Sequence, residues 1–406
     1  MRHARIQQAK PERSFAERIV AVIVAIAMLG GMGYATTSAA MAEDAEQITE
    51  QQAGISLGLH DYNRETINNN HALKFMNVDG SLPYSTYNKY VGPGVGAYTG
   101  IVKTTLTDDG YPTVADTDKQ ESLDYLFDET SDSVVTSYKP TGGLLKPEGD
   151  GYYGFDANSQ YAAYNKKLNK FDLSPQNSCA NQTDTPCFTP FGHNTEEDKY
   201  SFGMNLGADF YMPEGGQVNG QDMVFDFSGD DDVWVFIDGV LVLDLGGIHQ
   251  ALGGKINFHT GDITYDKKQS HGSSPATKIT KAFENARRTW DPTPYKTHHL
   301  SFFYLERGDG GSNCKIRFNL PVKPSKAIDI EKETLGTIGA NEQFQFQLLV
   351  GNSLTLYRGK YSVYNASTNQ AVQSDLQTSN DGVITLTKGR FARVQSDNFT
   401  DSTVYK

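Results

Sequence analysis

Positive charge is the scarcer kind in this chain: 36 Lys and Arg stand against 49 Asp and Glu, for a net charge of −13. Nucleic acids are held by clustered basic side chains, so no nucleic-acid partner is expected, and direct adhesion to anionic lipid is disfavoured. Cysteine is nearly absent, with 3 residues, and no C-x-x-C pair or His-Cys cluster prepares a zinc site. Long apolar runs are missing beyond Leu29, so the mature chain is expected to have no membrane span. G-x-S-x-G, H-E-x-x-H and P-loop patterns are all lacking. The 9 histidines are mostly isolated, which leaves little material for acid–base or nucleophilic catalysis. Charged residues make up only 21% of the chain, whereas 39 glycines, 22 tyrosines and 21 phenylalanines favour strands and turns over long helices.

The first residues form a targeting pattern. Arg2, Arg5, Lys10, Arg13 and Arg18 precede the apolar run IVAVIVAIAML, and Ala40-Met41-Ala42 fits a small-residue cleavage site. Basic region, apolar region and A-x-A site in that order make a secretory signal peptide over 1–42, cleaved after Ala42. The apolar run falls short of the roughly 20 residues that span a bilayer, which argues against a retained anchor. A polar leader follows over 43–54. Export suits the cysteines: Cys179 and Cys187 share the polar loop QNSCANQTDTPCF and are candidates for a loop-closing disulfide. Cys314, in CKIRFNL, reads as a half-buried strand residue.

From Ile55 onward the text is that of short strands and loops. ISLGLHDYN reads as a strand ending in a turn, ETINNNHALKFM as a short helix weakened by its asparagines, and SQYAAYNKKLNKFDL as a helix or helix-strand stretch. TKITKAFENARRTW is a further helix. Alternation is strongest from Lys199 to Leu245, where VWVFI and VLVLDL flank Asp238-Gly239, the strongest short hairpin signal. HHLSFFYLE and CKIRFNLP are strands joined by RGDGGSN, and alternation sends His298 and His299 to opposite faces.

Asp230, Asp231 and Asp232 crowd the turn between DMVFDFS and VWVFI. Neighbouring carboxylates raise one another's proton affinity, and a hard divalent cation relieves the repulsion. A solvated acidic turn explains the same triplet, since Asp favours turns. The spacing is not that of an EF-hand loop. In RGDGGSN the glycines free the backbone to approach a ligand, with Asp309 and Asn313 offering side-chain oxygens. The tripeptide Arg307-Gly308-Asp309 is of the kind integrins read, but such tripeptides arise often by chance.

FSGDDDVWVFIDGVLVLDLGGIH, with FFYLERGDGGSN and FNLP downstream, resembles the fibro-slime domain of bacterial surface proteins and slime-mould secreted factors. That domain is similar to the lectin-like β-barrel of anthrax protective antigen, yeast flocculins and some glycosidases. The resemblance implies a calcium ion on two adjacent aspartates, here Asp230 and Asp231, with Asn313 and Asp309 on the facing loop. Asp231, His249, Asp309 and Asn313 are then the expected ligand-binding residues. Asp232 stands where the family has Gly. Asp238 reads as the hairpin turn alone. The core motif covers 191–322, within a domain over 55–322.

Beyond Pro321 and Pro324, short alternating strands resemble a pilin-type or collagen-adhesin B-type sandwich over 323–406. That likeness implies a Lys–Asn isopeptide bond, with Lys332 as candidate; a solvated surface lysine is the other reading. The last strand of the family pattern begins only at Tyr405, so a partial domain and a longer parent protein are expected.

The fold expected is therefore all-β: an antiparallel lectin-like β-barrel or sandwich with long loops and short helical insertions, then a truncated immunoglobulin-like sandwich. The expected function is a secreted, cell-wall-associated surface adhesin, not an enzyme, binding glycans or host and matrix surface ligands with calcium as cofactor. Pilus or cell-wall partners are expected through a missing C-terminal region. A structural pilin or shaft subunit without ligand, or a carbohydrate-active enzyme module, are the alternatives.

Overall fold

The computed structural model describes residues 54–76, 96–116, 120–128, 133–149, 151–175, 188–192, 199–266, 271–272, 274–294, 296–308, 312–322, 327–330, 332, 339, 341–351, 353–365, 371–396, 399 and 405–406. The expected signal peptide with its cleavage at Ala42, the expected leader to residue 53, the Cys179–Cys187 loop and Asp309 lie outside the described residues.

The chain is all-β, with mainly antiparallel sheets. One six-stranded sheet runs Val240–Leu245, Asp232–Ile237, Thr297–Glu306, Phe202–Tyr211, Ile55–Tyr62 and Val135–Tyr138. The other runs Asp262–Tyr265, Leu252–Asn257, Val224–Gly229, Cys314–Phe318, Tyr152–Asp156 and Lys146–Gly149. Of the expected barrel or sandwich, the fold is the sandwich: two open sheets packed face to face. Alternation fixes which side of a strand is apolar but not whether the sheet closes on itself.

Side chains from the two inner faces interlock. Phe225 and Phe227 of one sheet meet Phe302 of the other at ring-centroid distances of 6.0 and 5.4 Å. Cys314 is fully buried in this core. The Asp232–Ile237 strand is buried along its whole length. Val233, Val235 and Ile237 face the inter-sheet core, while Trp234 and Phe236 face a second cluster with Phe75, Val114, Leu126 and Phe303. Burial on both sides explains its unbroken apolar text. Trp234 is fully enclosed, so W234A is expected to cost about 3–5 kcal/mol.

The second cluster exists because irregular segments cover the outer face of the first sheet. Helix Arg64–Asn70 opens this cover, capped by Asn63, whose side chain accepts from Thr66 N–H at 3.0 Å. The asparagines that weaken it have work beyond it: Asn68 bonds both the N–H and the carbonyl of Phe75, at 2.8 and 3.0 Å. Helix Ile279–Asn285 forms as expected. SQYAAYNKKLNKFDL is corrected to a hairpin, Gln160–Asn165 against Lys170–Pro175. Asn165 Oδ1 accepts the Lys167 and Leu168 N–H groups, and Asn169 takes a left-handed φ of 50°. Local turn chemistry here overrides the helix propensity of the lysines and leucine.

The C-terminal strands build their own core around Ile328, Leu348, Val363, Ile384, Leu386 and Val394. A sheet in the order Ala327–Ile330, Arg390–Gln395, Lys360–Asn365, Ala371–Gln377 accompanies a pair formed by Phe344–Gln347 and Val383–Leu386. Tyr405 bridges Val350. Lys332 Nζ is buried without a hydrogen-bond partner and sits 4.2 Å from the Phe344 ring centroid. Burial holds its ammonium below the usual lysine range.

Candidate functional site

Three crossovers between the two sheets meet at one end of the sandwich. Asp230 and Asp231 connect Val224–Gly229 of one sheet to Asp232–Ile237 of the other. The Gly246–Ala251 loop connects Val240–Leu245 to Leu252–Asn257, and the RGDGGSN loop connects Thr297–Glu306 to Cys314–Phe318. Pairing of Gly229 with both Leu252 and Cys314 locks the loops beside one another. The first crossover is only two residues long, and Asp231 takes a left-handed φ of 61° to make the bend. Gly229 is required next to it, because a Cβ there would stand 2.8 Å from the Asn313 carbonyl.

The aspartate triplet is divided into distinct environments. Asp230 is half-buried; burial and the charge of Asp231 push its carboxyl up to about 9. Asp231 is buried, with Oδ1 accepting from His249 N–H at 3.2 Å and Oδ2 from Arg307 N–H at 2.9 Å. Burial raises its carboxyl, and the Arg307 charge opposes that rise. Asp232 is fully buried and binds the Arg307 guanidinium at two points: Nε bonds Oδ2, and Nη2 bonds Oδ1 at 3.1 Å.

Glu306 closes the cluster. It is fully enclosed, and burial with the neighbouring charges of Asp231 and Asp230 pushes its carboxyl well above the usual carboxylate range. Gly308 N–H donates to Glu306 Oε1 at 3.3 Å, and the Tyr304 hydroxyl to Oε2 at 3.3 Å. Asn313 is buried, and its side-chain Oδ1 has no hydrogen-bond partner. Gly308 lets the carboxylates approach its backbone closely: a Cβ there would lie 3.1 Å from Asp231 Oδ2 and 3.4 Å from Glu306 Oε1.

These features favour a hard cation chemically. Raised carboxyls and an orphaned amide oxygen are oxygen donors short of positive charge. Asp232 is paired with Arg307, and burial with its acidic neighbours pushes Glu306 toward its neutral form. Burial favours protons on Asp230 and Asp231, and a divalent ion that displaced them would meet two ionised carboxylates, its charge match. Among the described residues, no three Asp, Glu, His or Cys side chains are gathered in ligating geometry. A cation here therefore needs Asn313, backbone carbonyls or loop residues such as Asp309 besides Asp230 and Asp231.

His249 reaches the cluster through its main chain. Its ring is turned into its own loop, with Nδ1 2.9 Å from the Gln250 carbonyl and Nε2 3.1 Å from the Leu245 carbonyl. Arg307 is fully buried, so the RGD tripeptide does not present its arginine to a partner. Asp238 does more than turn the hairpin. It and Gly239 take φ of 51° and 75°, and its carboxylate also accepts from His299 N–H at 2.9 Å and binds His298 Nδ1 at 2.7 Å. His298 is buried against Trp290, and His299 faces out to Asp209. Glu306 joins the candidates only through the structure, and Asp244, part of the resembled motif, gains defined partners from it. Asp244 accepts from Gly100 N–H at 2.7 Å and Gly246 N–H at 3.3 Å, and burial pushes its carboxyl up to about 7.

No known protein family's profile matches the chain. It is similar to psi proteins of Dictyostelium discoideum. Protein psiO is 28% identical over 181 residues, which is 44% of this chain and 20% of psiO. Protein psiF is 27% identical over 236 residues, 55% of this chain and 29% of psiF. Protein psiG is 67% identical over 96 residues, 24% of this chain and 10% of psiG. The chain thus spans less than a third of these curated relatives. No helix among the described residues is long and apolar enough to cross a membrane.

Proposed function

We propose that the chain is an exported surface protein whose two-sheet domain binds calcium and, through it, glycans on neighbouring surfaces. The observation that carries this is the convergence of Asp230, Asp231 and the unpartnered Asn313 Oδ1 at one end of the sandwich. Asp230, Asp231 and Asn313 hold the ion, with Asp309 completing the set from the same loop. Bound calcium supplies open coordination positions for vicinal hydroxyls. The protein's own groups orient the carboxylates and neutralise Asp232.

The basic–apolar–small pattern of residues 1–42 supports export. The domain is read as a binding module, not a catalyst. Adjacent aspartates on one crossover cannot readily flank a glycosidic bond from opposite faces. Many copies on one surface raise avidity where each sugar contact is weak.

Calorimetry on the mature chain tests the metal. Calcium heats are expected for the native protein and none for the D230A/D231A double variant; equal isotherms sink the assignment. Glycan-array binding abolished by chelator then separates the adhesin from a ligand-free shaft subunit, which binds no glycan in either condition.

A further inference from the structure

The strongest charged contact near the site serves neither the carboxylates that face the cation nor solvent. Asp232 and Arg307 are both fully enclosed and joined at two points. Each is also tied elsewhere. Asp232 Oδ1 accepts from Gly247 N–H at 2.6 Å, on the loop that carries His249. Arg307 Nη1 donates to the Lys74 carbonyl at 2.8 Å, and the Arg307 carbonyl accepts from Met76 N–H at 2.8 Å. The Lys74–Met76 stretch is fixed in turn by Asn68 and by Arg64, which donates to the Met76 carbonyl at 2.5 Å.

One pair thus joins all three crossovers to the covering segment behind them. The connection to Asp231 is direct, because the same Arg307 donates its main-chain N–H to Asp231 Oδ2 at 2.9 Å. Wherever the guanidinium is held, that N–H is held, and with it one carboxylate oxygen. The planar fork explains why arginine and not lysine stands here. It also accounts for an aspartate at the position where the resembled family has glycine.

We propose that Asp232 and Arg307 form a positioning clamp that sets the orientation of Asp231 for cation binding, so that ion affinity depends on a residue pair that does not touch the ion. This rests on the calcium reading of the same site. Positioning and simple electrostatics predict opposite signs for R307M. Removing the buried positive charge makes the site more negative by one, so electrostatics alone tightens cation binding. Loss of the clamp loosens it.

The test is calcium titration of the full chain, followed by calorimetry and by terbium luminescence with its lifetime read for bound water. R307M and R307K are expected to bind about 10- to 100-fold more weakly, the range typical of groups that orient ligands. The terbium lifetime is expected to shorten as a misplaced Asp231 is replaced by water. R307K retains the charge but not the fork, and carries the test if R307M does not fold. D232G/R307M, which removes both charges together, is expected to fold and still bind weakly. If the native chain binds and the arginine variants bind equally or more tightly, with unchanged lifetimes, the clamp is overturned and the metal site stands. If the native chain binds neither ion, both are overturned.

Discussion

The main-chain N–H of Asp230 donates to the carbonyl of Asn313 at 3.0 Å, stitching the acidic crossover to the RGDGGSN loop. The same asparagine leaves its side-chain oxygen buried and unpartnered. A buried acceptor without a donor costs on the order of 1–3 kcal/mol, a cost the proposed cation would relieve. N313A keeps the main-chain bond and removes the orphan. In chelator its unfolding free energy is expected to stay within about 1 kcal/mol of native, because lost packing and relieved desolvation offset. Its calcium affinity is expected to fall. Denaturant unfolding and calorimetry on the same sample separate the two, and an unchanged affinity removes Asn313 from the ligand set.

Gly308 gives a complementary test by filling space instead of removing a donor. In G308A the new methyl group stands 3.1 Å from Asp231 Oδ2, tighter than ordinary contact. The carboxylate must shift by a few tenths of an ångström, a cost of roughly 1 kcal/mol or less in the folded chain. Calcium affinity is expected to drop by more than that change in stability accounts for. Thermal denaturation with and without calcium measures both: the calcium-dependent rise in Tm shrinks while the chelated Tm barely moves.

How much of this was readable in advance follows from the kind of information each feature needs. Asp238-Gly239 was legible because both turn positions demand a left-handed backbone that few residues accept. Asp230 and Asp231 were legible as residue types. Glu306 and Arg307 were not, since their roles arise only when crossovers from distant parts of the chain meet at one end of two sheets. The Gln160–Asn165 hairpin was hidden because Lys, Leu and Ala read as helix formers, while its turn depends on what Asn165 and Asn169 bond. Closure of the sheet was likewise hidden, because a barrel and a sandwich share the same alternation.

Asp238 supplies the control at the far end of the Asp232–Ile237 strand, about 20 Å from the cluster at roughly 3.3 Å per residue. D238A removes the partner of buried His298 and puts alanine at a φ of 51°. A loss of about 1–3 kcal/mol is expected from the unpaired imidazole and the strained turn. D238N, which keeps a turn-forming side chain, is expected to lose less. Calcium affinity should be that of the native chain in both. A change in affinity would show that the two ends of the sheet are coupled.

The pH dependence follows from the buried carboxyls. Asp244 is pushed up to about 7 and Asp230 to about 9, from an ordinary value of 3.8, by burial in both cases. Between the unfolded and folded values the native state holds more protons than the unfolded chain. Stability therefore falls as pH rises through that window, and is fullest below about 4 as far as these groups are concerned. In chelator, urea unfolding is expected to show lower stability at pH 8 than at pH 5, the reverse of the usual trend for salt-bridged carboxylates. In the proposed site calcium competes with protons for Asp230 but not for Asp244. Saturating calcium is thus expected to flatten the Asp230 contribution, which spans about pH 4–9, and to leave the Asp244 contribution over about pH 4–7, which D244N removes. A chelated profile that rises from pH 5 to pH 8 contradicts the burial of these carboxyls in the folded chain.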